Sequence, residues 1–131
     1  MARVLPQPTK ISQPYWDACR RGELTIQRCK DCGAHLFYPV HMCPDCASLD
    51  IGWVRASGRG TIYSLSALVQ ATDPDHAGPP TILALVALEE GPVMMSNIVG
   101  PGAQDAQIGD AVAVEFESVS DEIALPMFHR A

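Results

Sequence analysis

Two C-x-x-C pairs, Cys29/Cys32 and Cys43/Cys46, constrain this 131-residue chain more than any other feature. Each pair closes a short turn that can present two thiolates to one metal ion, and ten residues separate the pairs. Four thiolates at this spacing satisfy tetrahedral Zn²⁺ with no position left open, which predicts a structural site rather than a catalytic one. Iron in a rubredoxin-like centre accepts the same four ligands and is the less favoured occupant. His35 and His41 could stand in for a thiolate, but with four cysteines present they read as surface or packing residues.

The cysteines also bear on compartment. A fifth, Cys19, has no partner, which suits a reducing environment better than a disulfide framework. Met1–Lys10 carries charge and two prolines in place of an apolar signal core. No apolar run approaches the roughly 20 residues that span a bilayer. The expectation is a cytoplasmic protein with no membrane partner.

Metal dependence follows from size. The cysteine-bearing segment is too short to bury much apolar surface alone, and structural zinc supplies roughly 10–16 kcal/mol of apparent binding energy to such modules near neutral pH. Charge is uneven along the chain. Residues 1–59 hold eight basic and five acidic side chains, and residues 60–131 hold one basic and ten acidic, so the halves carry +3 and −9. An acidic second half repels a phosphate backbone, which argues against nucleic-acid binding.

Ile11–Arg21 reads as a short helix, with Ser12 as N-cap, Pro14 in the first turn and Gly22 as the stop. Tyr15, Trp16 and Cys19 share one partly apolar face, and Arg20 and Arg21 lie beside them. Tyr15 and Trp16 are candidates for a docking surface or ligand wall, and Arg20 for a phosphate contact, against the plainer readings of self-packing and a solvated helix end. Leu24–Arg28 and His35–Tyr38 read as strands flanking the first metal turn. Gly33 follows that turn, whereas Ala47 stands at the matching place in the second. Phe37 and Tyr38 read first as ribbon core and second as contact residues.

The remainder alternates as antiparallel strands: Ile51–Ala56, Thr61–Ala71, Thr81–Glu89, Val93–Val99 and Ala111–Val119. Thr81–Glu89 is nearly continuously apolar, as a strand buried on both faces would be. Val112, Val114 and Phe116 are expected to point inward. Five strands predict a small closed barrel, for which the OB-fold is the natural choice. The expected fold is therefore mainly β: an N-terminal arm and helix (residues 1–22), a zinc ribbon (23–50) and a five-stranded OB-fold barrel (51–131). The loop Thr72–Pro80 places His76 beside Asp73 and Asp75, a possible recognition element but no catalytic motif. The chain offers no nucleophile elbow, phosphate loop or dinucleotide fingerprint, so no independent catalysis is expected.

The order of motifs resembles a known family. It runs through Tyr15-Trp16, Gly22-Glu23-Leu24-x-x-Gln27-Arg28-Cys29-x-x-Cys32-Gly33 and Cys43-Pro44-x-Cys46. It continues through Ser57-Gly58-Arg59-Gly60-Thr61-Ile62-Tyr63-Ser64, Leu88-Glu89-Glu90-Gly91, Ile108-Gly109-Asp110-Ala111-Val112 and Leu125-Pro126-Met127-Phe128. The chain resembles acyl-CoA-associated OB-fold proteins with an N-terminal rubredoxin-like zinc ribbon. Val40 and Thr81 depart from that pattern, where arginine and an aromatic residue are common. The resemblance implies a non-catalytic subunit docked on a thiolase-like enzyme or CoA-ester aldolase, with acyl-CoA at or near the interface. Nucleic-acid binding is the alternative, since zinc ribbons and OB-folds both serve it.

Overall fold

The computed structural model describes residues 5–68 and 81–131. Among them one α-helix and eight strands follow in order: α1 (Gln13–Arg20), β1 (Thr25–Cys29), β2 (His35–Leu36), β3 (Ile51–Arg55), β4 (Arg59–Leu68), β5 (Thr81–Leu88), β6 (Val93–Ile98), β7 (Ala111–Ser118) and β8 (Ala124–Arg130), with a 3₁₀ turn at Ala103–Asp105 between β6 and β7. His76 and its loop, with the expected strand end beyond Leu68, lie outside the described residues.

Helix α1 begins with Pro14 in its first turn, as its fixed φ favours. Ser12 occupies the N-cap position, but its hydroxyl does not cap the helix; it accepts from the Thr9 N–H at 2.9 Å instead. At the other end, Gly22 at φ +78° lets its own N–H and that of Glu23 reach back to the carbonyls of Cys19 and Ala18. That pair of bonds satisfies carbonyls the helix would otherwise leave bare. The buried stripe is Tyr15, Ala18 and Cys19.

The sheets divide differently from expectation. Strand β3, read from sequence as the first barrel strand, pairs with β1 along Thr25↔Arg55 to Cys29↔Ile51, making a three-stranded ribbon sheet in the order β2-β1-β3. The barrel is closed in the order β4-β5-β6-β8-β7, with β4 and β7 meeting at the ends. Its fifth strand is β8, which pairs with β7 through seven residues from Val112↔Arg130 to Ser118↔Ala124. This order is that of an OB-fold, and the chain is mainly strand with one short helix and a ribbon. Against β6, β8 is parallel and shares one ladder pair, Ile98↔Phe128.

Strand β5 is buried on one face, not two. Ile82, Ala84, Val86 and Leu88 point inward, while Leu83, Leu85 and Ala87 on the outer face remain half-covered. A bulge between Ile62 and Ser64 turns Tyr63 out to solvent, 63% exposed. Val112 is fully buried, and Val114 and Phe116 pack partly against the core, as the alternation predicts.

One core joins the parts. Phe128, Ile62, Val86, Met94 and Val112 of the barrel pack with Tyr15 and Cys19 of α1, with Leu24 just before β1 and with Ile26 within it. The ribbon and helix are thereby fixed against the barrel by burial of common apolar surface. A second, smaller cluster forms around Cys29, Leu36 and Cys43, with Ala34, Val40 and Ile51 on its rim.

Candidate metal centre and adjoining groove

The four cysteines of the two C-x-x-C turns converge. Their Sγ atoms all lie within 4.8 Å of one another, with Cys29–Cys46 at 3.5 Å and Cys32–Cys43 at 3.6 Å. Four Zn–S bonds of about 2.3 Å in a tetrahedron set sulfur–sulfur edges near 3.8 Å, so these ligands fit zinc. All four are free thiols, not disulfides. Cys29 and Cys43 are buried, whereas Cys32 and Cys46 face solvent.

Local backbone explains the convergence. In the first knuckle the Gly33 N–H returns to the Cys29 carbonyl at 2.9 Å with Gly33 at φ +79°. The second repeats this with Ala47, whose N–H reaches the Cys43 carbonyl at 2.8 Å at φ +61°. Alanine holds the left-handed conformation that glycine would adopt more readily. Backbone N–H groups of Cys32 and, less strongly, Asp31 draw the Cys29 thiol down to about 6, while hydrogen bonding to the neighbouring thiols holds Cys46 up at about 12. Zinc held by these four thiolates would cross-link the two turns and supply the folding energy that comes with binding. The Ser48 hydroxyl bonds the Asp31 carboxylate, tying the turns together a second time.

Beside the ribbon lies a cavity of about 410 Å³. Tyr15 and Trp16 of α1 form one side, and Phe37, Tyr38 and Pro39 from the connection between the knuckles form the next. Met94 to Asn97 of β6 and Leu125 to Met127 of β8 complete it. The rings stack edge-on in sequence: Trp16 to Tyr15 at 5.0 Å, Tyr15 to Phe37 at 5.5 Å, and Phe37 to Tyr38 at 4.5 Å, the last pair tilted. A cis peptide bond joins Phe37 to Tyr38. Among the described residues no charged side chain lines the groove, and Tyr38 and Met95 are 56% and 53% exposed at its rim. Met95 also borders a smaller apolar depression with Leu65, Leu83 and Leu85 on the outer barrel face.

The structure thus gathers Tyr15, Trp16, Phe37 and Tyr38 at one place. Arg20 stands apart, in a polar depression with Asp17 and Arg21. The methionines and the β8 segment of the groove escaped sequence reading; the only signal was two uncharged runs, Val93–Ile98 and Leu125–Phe128, with exposed-face methionine where a barrel surface is usually polar. Cys19 is not a nucleophile: burial pushes its thiol up to about 12, a contact with Tyr15 opposing only in part. Burial likewise raises the Tyr15 phenol, so both stay neutral.

Among the described residues no helix is long and apolar enough to cross a membrane.

Comparison with known proteins agrees with this architecture. A model described as ChsH2, rubredoxin-like zinc ribbon domain, matches residues 16–52, and one described as ChsH2, C-terminal OB-fold domain, matches residues 53–117. A probable enoyl-CoA hydratase alpha subunit of Thermomonospora curvata is 34% identical over 131 residues, 98% of this chain. The chain spans 40% of the length of that relative. A DUF35 domain-containing scaffold protein of Methanothermobacter thermautotrophicus is 34% identical over 105 residues, covering 79% of this chain and 78% of its own. Among solved structures, the Ltp2-ChsH2(DUF35) aldolase superposes with a TM-score of 0.85 at 30% identity, over 96% of this chain and 98% of that one.

Proposed function

This chain belongs to the ChsH2 (DUF35) family of zinc-ribbon and OB-fold proteins, and from that premise we propose that it is a non-catalytic accessory subunit of an enzyme complex. The partner is a thiolase-superfamily enzyme, a thiolase or retro-aldolase acting on an acyl-CoA, in the breakdown of steroid or other lipid side chains. The chain stabilises that enzyme and helps shape the path of the acyl-CoA.

The observation that carries this reading is the uncharged aromatic and methionine groove, open to solvent where helix, ribbon and barrel meet. Apolar surface that a chain leaves uncovered beside half-exposed Tyr38 and Met95 is the kind that protein partners bury. The name of the structural neighbour, an aldolase built from Ltp2 and ChsH2(DUF35), supports the same class of partner. The zinc ribbon supplies a rigid frame for one wall, and the barrel supplies the other.

The test is co-expression of the tagged chain with thiolase-superfamily enzymes from the same host. Stoichiometric co-purification through gel filtration, with an interface burying more than roughly 1,000 Å², is the expected result. A chain that elutes alone from every such enzyme would remove the basis for the proposal.

A further inference from the structure

Two polar side chains are buried among the described residues, Gln27 and Ser96, at 5% and 7% exposure. A buried polar group costs stability unless it is hydrogen-bonded, so where these two direct their bonds is informative. Ser96 bonds a backbone atom of the groove's lining, and Gln27 bonds the backbone just beyond its aromatic wall.

Gln27 holds the ribbon wall. In β1 it is the register partner of Leu36, the last residue of β2. Its carboxamide then grips Val40 on both sides: the Val40 N–H donates to Oε1 at 2.7 Å, and Nε2 donates to the Val40 carbonyl at 3.1 Å. Leu36 and Val40 are the two feet of the three-residue bow Phe37-Tyr38-Pro39. That bow leaves the sheet, sets Phe37 against Tyr15, and brings the Tyr38 hydroxyl to the Met95 N–H at 3.4 Å. The Leu36 foot is thus held by strand pairing and the Val40 foot by the Gln27 side chain.

Ser96 holds the opposite wall. The groove occupies the seam where β6 and β8 share a single ladder pair. Across that seam the Ser96 hydroxyl donates to the Pro126 carbonyl at 2.8 Å. The bond fixes the separation of Met94–Asn97 from Leu125–Met127, the two segments that form the floor.

We infer that Gln27 and Ser96 are positioning residues that set the shape of the groove, each through the backbone atoms its side chain holds: Gln27 from behind the aromatic wall, Ser96 from within the lining. This rests on the docking reading for its functional consequence but not for its structural one. Loss of either side chain leaves the backbone group it held without its partner and lets that wall shift, while the four metal ligands and the barrel core keep their own contacts.

The experiment compares Gln27→Leu and Ser96→Ala with Val112→Ala, a core variant in the barrel away from the groove, at one zinc per chain checked by metal analysis. Near-ultraviolet circular dichroism of the isolated chain reads the aromatic wall, and titration against the co-purifying enzyme reads docking. The expected result is a reduced aromatic signal for Gln27→Leu and about a tenfold weaker complex for both groove variants, as an unsatisfied buried group implies. Val112→Ala should lower the melting temperature and leave both readouts at the wild-type level. Groove variants that bind within about threefold of wild type, or a core variant that weakens docking equally, would overturn the inference. Should Gln27→Leu fail to fold, Ser96→Ala decides alone. If the wild type captures no enzyme, the docking reading fails separately, and an unchanged aromatic signal in a folded Gln27→Leu still refutes the structural claim.

Discussion

Met95→Lys separates docking from folding. Met95 lies on the outer face of β6, paired with Leu85, and borders both apolar depressions. With 53% of the residue open to water, a lysine there can keep its aliphatic stem on the barrel and its ammonium in solvent. The free chain should therefore lose no more than about 0.5 kcal/mol. The complex should lose far more. Burying a whole methionine side chain contributes about 1.5–3 kcal/mol, so the half still uncovered is worth about 0.8–1.6 kcal/mol to a partner. Among the described residues no acidic side chain lines the groove to pair the ammonium, and its desolvation adds at least about 1–3 kcal/mol. Together these give about 1.8–4.6 kcal/mol, or roughly 20- to 2,000-fold in dissociation constant. Calorimetric titration against the co-purifying enzyme, with thermal melts of the free chain, measures both quantities. A variant that melts and binds like wild type would show that this face is not the docking surface.

Four further outcomes are expected. Phe128→Ala, at the centre of the barrel core and fully buried, should cost about 3–5 kcal/mol and lower the melting temperature by about 12–20 °C; a drop of only a few degrees would contradict β8 as the closing strand. Cys43→Ala should abolish stoichiometric zinc and unfold the ribbon, and because thiols must lose protons to bind metal, wild-type zinc should be released on acidification, followed with a chromogenic chelator. Cys19, with its thiol raised to about 12 by burial, should resist iodoacetamide at neutral pH in the native protein; since the folded value lies above the unfolded one, its contribution to stability is complete below the ordinary thiol value and falls away as pH rises toward 12, which alkaline unfolding curves can check. Ala47→Gly should raise stability by up to about 1 kcal/mol by relieving the left-handed conformation at φ +61°, seen as a higher melting temperature at full zinc occupancy.

Features that depend on near neighbours along the chain were legible before any fold was known. Cys29 to Cys32 and Cys43 to Cys46 form knuckles because three-residue spacing closes a turn wherever it occurs, and four such thiolates have one evident use. Pro14 and Gly22 bounded α1 because each acts on its own backbone. Alternation in Ala111–Ser118 revealed which side chains point inward. Tertiary structure decided what local signals do not carry. Ile51–Arg55 reads equally well as a strand of either sheet, and only pairing with β1 assigns it to the ribbon. Strand β8 buries Ala124, Pro126, Met127 and Phe128 without a period of two and contains a proline, so nothing in its pattern announces that it closes the barrel. The groove is the extreme case: Tyr15, Phe37, Met95 and Pro126 come from four separate segments, and it exists because shared core burial brings those segments together while two buried side chains, Gln27 and Ser96, tie down the backbone around it.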